Sequence, residues 1–122
     1  MPVNLTLLLY PKNADVACLV LKCDGGFLRE NHLFNYPKFM SQLETMVARL
    51  AVGERFNEQL TICDKRNNAY SWICSFNATE ASLVVLPKSG RVKGRASFKW
   101  NGPVSDFVNA VNEMTAKLGQ RG

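Results

Sequence analysis

Residues 69–76, AYSWICSF, set Tyr70, Trp72, Cys74 and Phe76 at alternate positions, with Ser71 and Ser75 between them. Successive side chains of an extended strand point to opposite faces, so this period of two sends four bulky groups one way and two hydroxyls the other. An antiparallel strand with one face in a core and the other toward water has this pattern. The flanks continue it. Residues 56–63 (FNEQLTIC) form a strand candidate that reaches 69–76 through the polar turn Asp64-Lys65-Arg66-Asn67-Asn68. Residues 81–86 (ASLVVL) form another, ended by Pro87, and Lys88-Ser89-Gly90 leads into 91–100 (RVKGRASFKW). Four strands in succession, joined by short connections, predict antiparallel pairing.

Further toward the N-terminus, residues 3–10 (VNLTLLLY) and 16–23 (VACLVLKC) are short apolar runs separated by Pro11-Lys12-Asn13-Ala14-Asp15. They read as a strand pair joined by a hairpin loop, closed by Asp24-Gly25-Gly26. Residues 27–36 (FLRENHLFNY) hold no clean period and read as a covering loop with room for a short strand. From 37 to 52 the apolar residues Phe39, Met40, Leu43, Met46, Val47, Leu50 and Ala51 fall on one face at 3.6 residues per turn. Pro37 suits the first turn of that helix and Gly53 the position after its last. Asn101-Gly102-Pro103 is expected to break the sheet. A second helix follows, with Ser105 as N-cap, Asp106 favourable to the helix dipole, and a stripe of Phe107, Val108, Val111, Met114 and Leu118 running to Gly119.

The order β-β-α-β-β-β-β-α predicts an α+β fold. It consists of an antiparallel sheet of about six strands with two amphipathic helices packed on one face, one domain spanning 1–122. The sequence shows no internal repeat. Its apolar fraction of 47% supplies a core, and no run approaches the ~20 apolar residues needed to cross a bilayer. The first residues have neither a basic leader nor a small-residue cleavage site, so a soluble, cytoplasmic protein is expected. In that setting the triplets Asn4-Leu5-Thr6 and Asn77-Ala78-Thr79 carry no glycan. The four cysteines, 18, 23, 63 and 74, sit in apolar strand-like stretches and are expected as reduced core thiols. There is no C-x-x-C pair, and the one histidine, His32, is distant in sequence from most of the thiols, so no metal is expected.

One constellation carries a functional signal. In 91–99 the odd positions are Arg91, Lys93, Arg95, Ser97 and Lys99, while Val92, Gly94, Ala96, Phe98 and Trp100 hold the even ones. Alternation would line four cations along one face, with neighbours ~6.6–6.8 Å apart. Residues 81–105 contain Lys88 and these four cations and no acid; the rest of the chain has ten basic and ten acidic residues, so the net charge of +5 is concentrated here. A row of like charges repels itself, and an opposing row of carboxylates or phosphates turns that repulsion into steering and attraction. Lys and Arg on a strand also protect a sheet edge from pairing with another chain.

The functional classes divide accordingly. No phosphate-binding glycine loop or paired carboxylates are visible, and His32 with a thiol is the only nucleophile pair that can be drawn. A non-catalytic binding protein without cofactor is expected. It would be a small inhibitor of the immunity or antitoxin kind that docks an acidic protein surface through Arg91, Lys93, Arg95 and Lys99, with Lys88 and Arg66 in the adjoining turns. The alternative is a single-stranded nucleic-acid binder using the same cations, with exposed rings among Tyr70, Trp72, Phe76, Phe98 and Trp100 for stacking. The β-β-β-β-α order of the second half resembles that of several single-strand-binding folds, the transcription-coactivator and Whirly type among them. The likeness lies in element order and is carried by no motif.

Overall fold

The leucine-rich start of the chain builds one sheet. In the computed structural model, which describes residues 5–63, 69–87 and 98–121, β1 (Thr6–Pro11) and β2 (Val16–Cys23) pair antiparallel, with Thr6 opposite Lys22 and Pro11 opposite Ala17. Leu7, Leu9, Leu19 and Leu21 are buried on the inner side. The chain then reverses through Asp24-Gly25, where Gly25 takes φ 80, a value that favours glycine. It continues as β3 (Gly26–Phe34), a full strand of nine residues where the sequence suggested a loop. The physical reason is a bulge. Leu28 and Leu33 both pack inward although they are five positions apart, an odd spacing that strict alternation forbids. The register shifts between Ala17 and Leu19, and the extra residue on β3 restores Leu33 to the core.

Helix α1 (Tyr36–Ala51) follows, with Pro37 in its first turn and Phe39, Met40, Leu43, Met46 and Leu50 buried, as the periodicity predicts. The second sheet is a meander of β4 (Asn57–Cys63), β5 (Ala69–Phe76), β6 (Glu80–Pro87) and β7 (Phe98–Pro103), in spatial order β4-β5-β6-β7; of the fourth strand expected over 91–100, residues 91–97 lie outside the described residues. Leu60, Trp72, Val85 and Phe98 stand directly opposite one another across all four strands, and all are buried. The fold is thus α+β and antiparallel, with seven strands among the described residues divided into sheets of three and four. Two boundaries differ from expectation. Asn101-Gly102-Pro103 ends β7 instead of breaking it, because β7 lies at the end of its sheet's strand order, where a proline's missing N–H is tolerated. Helix α2 (Val104–Arg121) starts before Ser105 and runs through Gly119.

The two sheets and two helices share one apolar core. α2 touches β1, β6, β7 and α1, while β3 lies against β7 and β4. The halves also share a local plan that the sequence did not announce. In β1-β2-β3-α1 the turn is held by Asn13, and in β5-β6-β7-α2 by Asn77. Asn13 Oδ1 accepts from the N–H groups of Asp15 (2.8 Å) and Val16 (2.9 Å), and Asn77 Oδ1 accepts from Thr79 (3.2 Å) and Glu80 (2.8 Å). Each asparagine donates its own N–H to the carbonyl three residues on, Val16 or Glu80. The first helical N–H then closes on the same turn: Tyr36 donates to Asp15 O at 3.2 Å, and Val104 donates to Thr79 O at 3.0 Å. A helix start has orphan donors, and in both halves a turn carbonyl takes one. Sequence identity between the two turns extends only to Asn-Ala, too little to register as a repeat.

Trp100 makes Gly102 obligatory. A β-carbon there would lie 2.5 Å from the indole Cζ2. At Gly25 nothing lies within 4 Å, so only the backbone conformation resists substitution. Gly102→Ala should therefore cost about 1–3 kcal/mol by forcing the buried ring off its site, and Gly25→Ala about 1 kcal/mol. Urea unfolding of the two variants checks the order; equal costs would refute the packing argument.

Candidate functional site

Alternation in the second sheet leaves an outward face of unusual chemistry. Asn57, Ser75, Ser82 and Asn101 stand opposite one another in a row across all four strands, and Gln59, Ile73, Val84 and Lys99 form the next. Lys99 is exposed, and among these eight side chains it is the only charge. A shallow cleft of about 170 Å³ opens over the first row, with Glu80 at its rim. Gln59 Nε2 donates to Ser71 Oγ at 3.3 Å further along the face.

Of the residues singled out as partner-binding, Lys99 is the one the structure describes. It lies on the outward side of β7, between the buried Phe98 and Trp100, in agreement with the predicted parity. Arg66, Lys88, Arg91, Lys93 and Arg95 lie outside the described residues. The strand ends on either side of them are described. Cys63 pairs with Ala69, Tyr70 with Pro87, and Val85 with Phe98, so β4 ends and β5 begins at the same end of the sheet where β6 ends and β7 begins. Segments 64–68 and 88–97 are both anchored there. Between them they contain six basic residues and one acid, while the remaining nine basic residues balance nine acids. The whole net charge of the chain belongs to these two connections.

The rings the nucleic-acid alternative called on are not platforms. Trp72, Phe76, Phe98 and Trp100 are buried, and Tyr70 is packed against the core. Trp72 meets Phe39 of α1 edge-on at 4.8 Å between centroids, and Phe76 meets Phe107 of α2 at 5.1 Å. Exposed rings occur instead on the first sheet, at Phe27 (59%), Tyr10 (43%) and Phe34 (41%). With Leu28 and Leu33 turned inward, Phe27, Arg29, His32 and Phe34 fall on the outward side of β3, and exposed Lys22 stands directly opposite Phe27. His32 is thus a strand residue and not part of a covering loop; its Nδ1 lies 3.4 Å from Lys12 Nζ. This face was missed because the bulge hides the period. The hairpin tip beside it touches the second sheet, where Cys23 Sγ lies 3.6 Å from the Lys99 carbonyl. Phe27 and Lys22 therefore sit next to the start of β7.

Arg49, Glu54 and Arg55 are occupied within the fold. Arg49 pairs with Glu54 at 2.9 Å and lies over the Phe56 ring at 3.8 Å. Arg55 donates to the carbonyls of Leu50, Glu54 and Ala78. Cys18, Cys23 and Cys74 are thiols and not disulfides. Burial, with Glu58 nearby, pushes the Cys74 thiol up to about 12. Burial and then Asp24 raise Cys23 as well, against a backbone hydrogen bond from Gly26 that lowers it. Both shifts run opposite to the lowering that activates a thiol nucleophile. Among the described residues no three of His, Cys, Asp and Glu come together as metal ligands would, and no helix is long and apolar enough to cross a membrane. Comparison with protein-family models, with curated proteins and with solved structures finds no match.

The Cys74 value carries a pH dependence. Its folded value lies above the thiol's ordinary 9.0, so the unfolded chain ionises first. The stability that the neutral buried thiol contributes is complete below pH 9 and is lost as pH rises toward 12. Urea midpoints of the native protein should fall across that interval more steeply than those of Cys74→Ala; parallel slopes would show that the thiol is not the cause.

Proposed function

We propose that this protein is a non-catalytic binding protein that docks an acidic macromolecular surface through the basic end of its second sheet. One observation carries the reading: the two connections that hold the entire net charge leave and re-enter the sheet at the same end. Charge gathered at one end of a rigid sheet makes a directed field, and a directed field steers an oppositely charged partner. Lys99 extends that charge onto the outward face, where neighbouring side chains are neutral and do not compete for it. Raised thiol values and the internal use of Arg49 and Arg55 support binding over catalysis.

The reading as an inhibitor of an acidic protein and the reading as a nucleic-acid binder share these cations. They separate on co-purification, since a protein partner survives nuclease treatment of the native extract and a nucleic acid does not. The location of the docking charge is tested with heparin as the polyanion. Arg91, Lys93 and Arg95 are changed together to Gln, and a control changes Lys38, Lys117 and Arg121 to Gln. The first variant should elute at clearly lower salt than the control, although both lose three charges. Equal shifts would mean that net charge alone governs binding and that the basic end is not a site.

A further inference from the structure

The outward side chains of β3 combine rings and cations in an order that suits one class of ligand. Phe27 is the most exposed of the large apolar side chains described, apart from Val52 at the end of α1. Lys22 stands across from it and Arg29 follows on the same strand face, with neighbouring positions ~6.6–6.8 Å apart. Beyond the bulge come His32, with Lys12 at 3.4 Å, and then Phe34. Tyr10, opposite Cys18, completes the face from β1. Glu30 is the one acid of β3, and its carboxylate accepts from the His32 N–H at 3.0 Å on a half-buried residue whose strand partner is the inward Leu19.

A protein partner wants a continuous apolar centre depleted of charge, ringed by polar groups. Here Phe27 stands directly opposite Lys22, and exposed rings interrupted by cations are what a single strand of nucleic acid uses. Its bases stack on aromatic faces while the phosphates meet the positive side chains, without sequence preference because every base has a π-face. A duplex cannot do the same, since its bases are stacked within it.

Resting on the proposed docking of an acidic macromolecule, we infer that the partner is a single-stranded nucleic acid, held on the outward face of the first sheet by stacking on Phe27 and Phe34 with Lys22 at its phosphates. The contact between the β2–β3 tip and β7 joins this platform to the sheet whose connections carry the net charge. The cations there supply long-range attraction, and the rings supply the short-range hold.

The experiment is a fluorescence-anisotropy titration of the whole protein with labelled oligothymidylate and oligouridylate over a range of salt, with a blunt DNA duplex and polyglutamate as competitors. Both rings are exposed, so Phe27→Ala and Phe34→Ala should keep the native circular dichroism and melting temperature. Each is expected to weaken single-strand binding by about five- to a hundredfold and to leave the salt slope unchanged, whereas Phe27→Trp restores it. Joint replacement of Arg91, Lys93 and Arg95 by Gln should instead flatten the salt slope. If the ring variants bind like the native protein while the charge variant does not, the platform is overturned and the basic end stands. If the duplex competes as well as the single strand, stacking is overturned. If the native protein binds polyglutamate but neither oligonucleotide, the partner class is wrong and an acidic protein takes its place. If it binds none of the three, the docking reading fails together with this one.

Discussion

Everything in this structure depends on burying one side of each strand against two helices. Trp72, fully buried at the centre of β5, is the hub. It packs edge-to-face on Phe39 of α1 and stands in a cross-strand row with Leu60, Val85 and Phe98. Phe76, two turns of the pleat further on, ties β5 to α2 through Phe107 and to the segment before β4 through Phe56. Offset and edge-on ring pairs of this kind contribute about 0.5–1.5 kcal/mol beyond the area they bury. The apolar side chains of two sheets and two helices meet around these rings in one continuous core.

That commitment decides which surfaces remain for a partner. Once the inward positions of the second sheet are filled by rings, its outward positions are left with amides, hydroxyls, short aliphatics, one lysine and, at one edge of the cleft, Glu80. Such a face offers hydrogen bonds and little else, so attraction must come from charge at its end. The first sheet is different. Its central strand is buried at most positions on both sides, and its flanking strand β3 carries the rings that have no place inside. The exposed rings thus lie on the first sheet and the excess positive charge at one end of the second, and the two meet where the β2–β3 tip touches β7.

The matching Asn13 and Asn77 turns show how the same local solution serves each half. In both, an asparagine side chain satisfies two turn N–H groups and frees a carbonyl to receive the first N–H of the following helix. The bond fixes where each helix starts relative to its own sheet, and so fixes where Phe39 and Phe107 enter the core. Asn77 stands in a sequence triplet that looks like a glycosylation acceptor, and its side-chain oxygen is spent on the turn.

The sequence alone determined the antiparallel strands of the meander, the two helices and the common face of the rings in 69–76. Those follow from periods of 2.0 and 3.6 that act within a few residues, and they hold from Ala69 to Phe76 and from Phe39 to Leu50 without help from the rest of the chain. It also determined that positive charge is concentrated around Arg66 and from Lys88 to Arg95, because charge is a property of composition. The tertiary structure alone decided that 26–34 is a strand. A bulge breaks its alternation, and only pairing with β2 shows where the extra residue goes. It alone separated the strands into two sheets, and it alone put Phe27 and Lys22 beside β7. Residues 22 and 27 are far from 99 in sequence, and no local period carries information about which surfaces meet once a common core has closed.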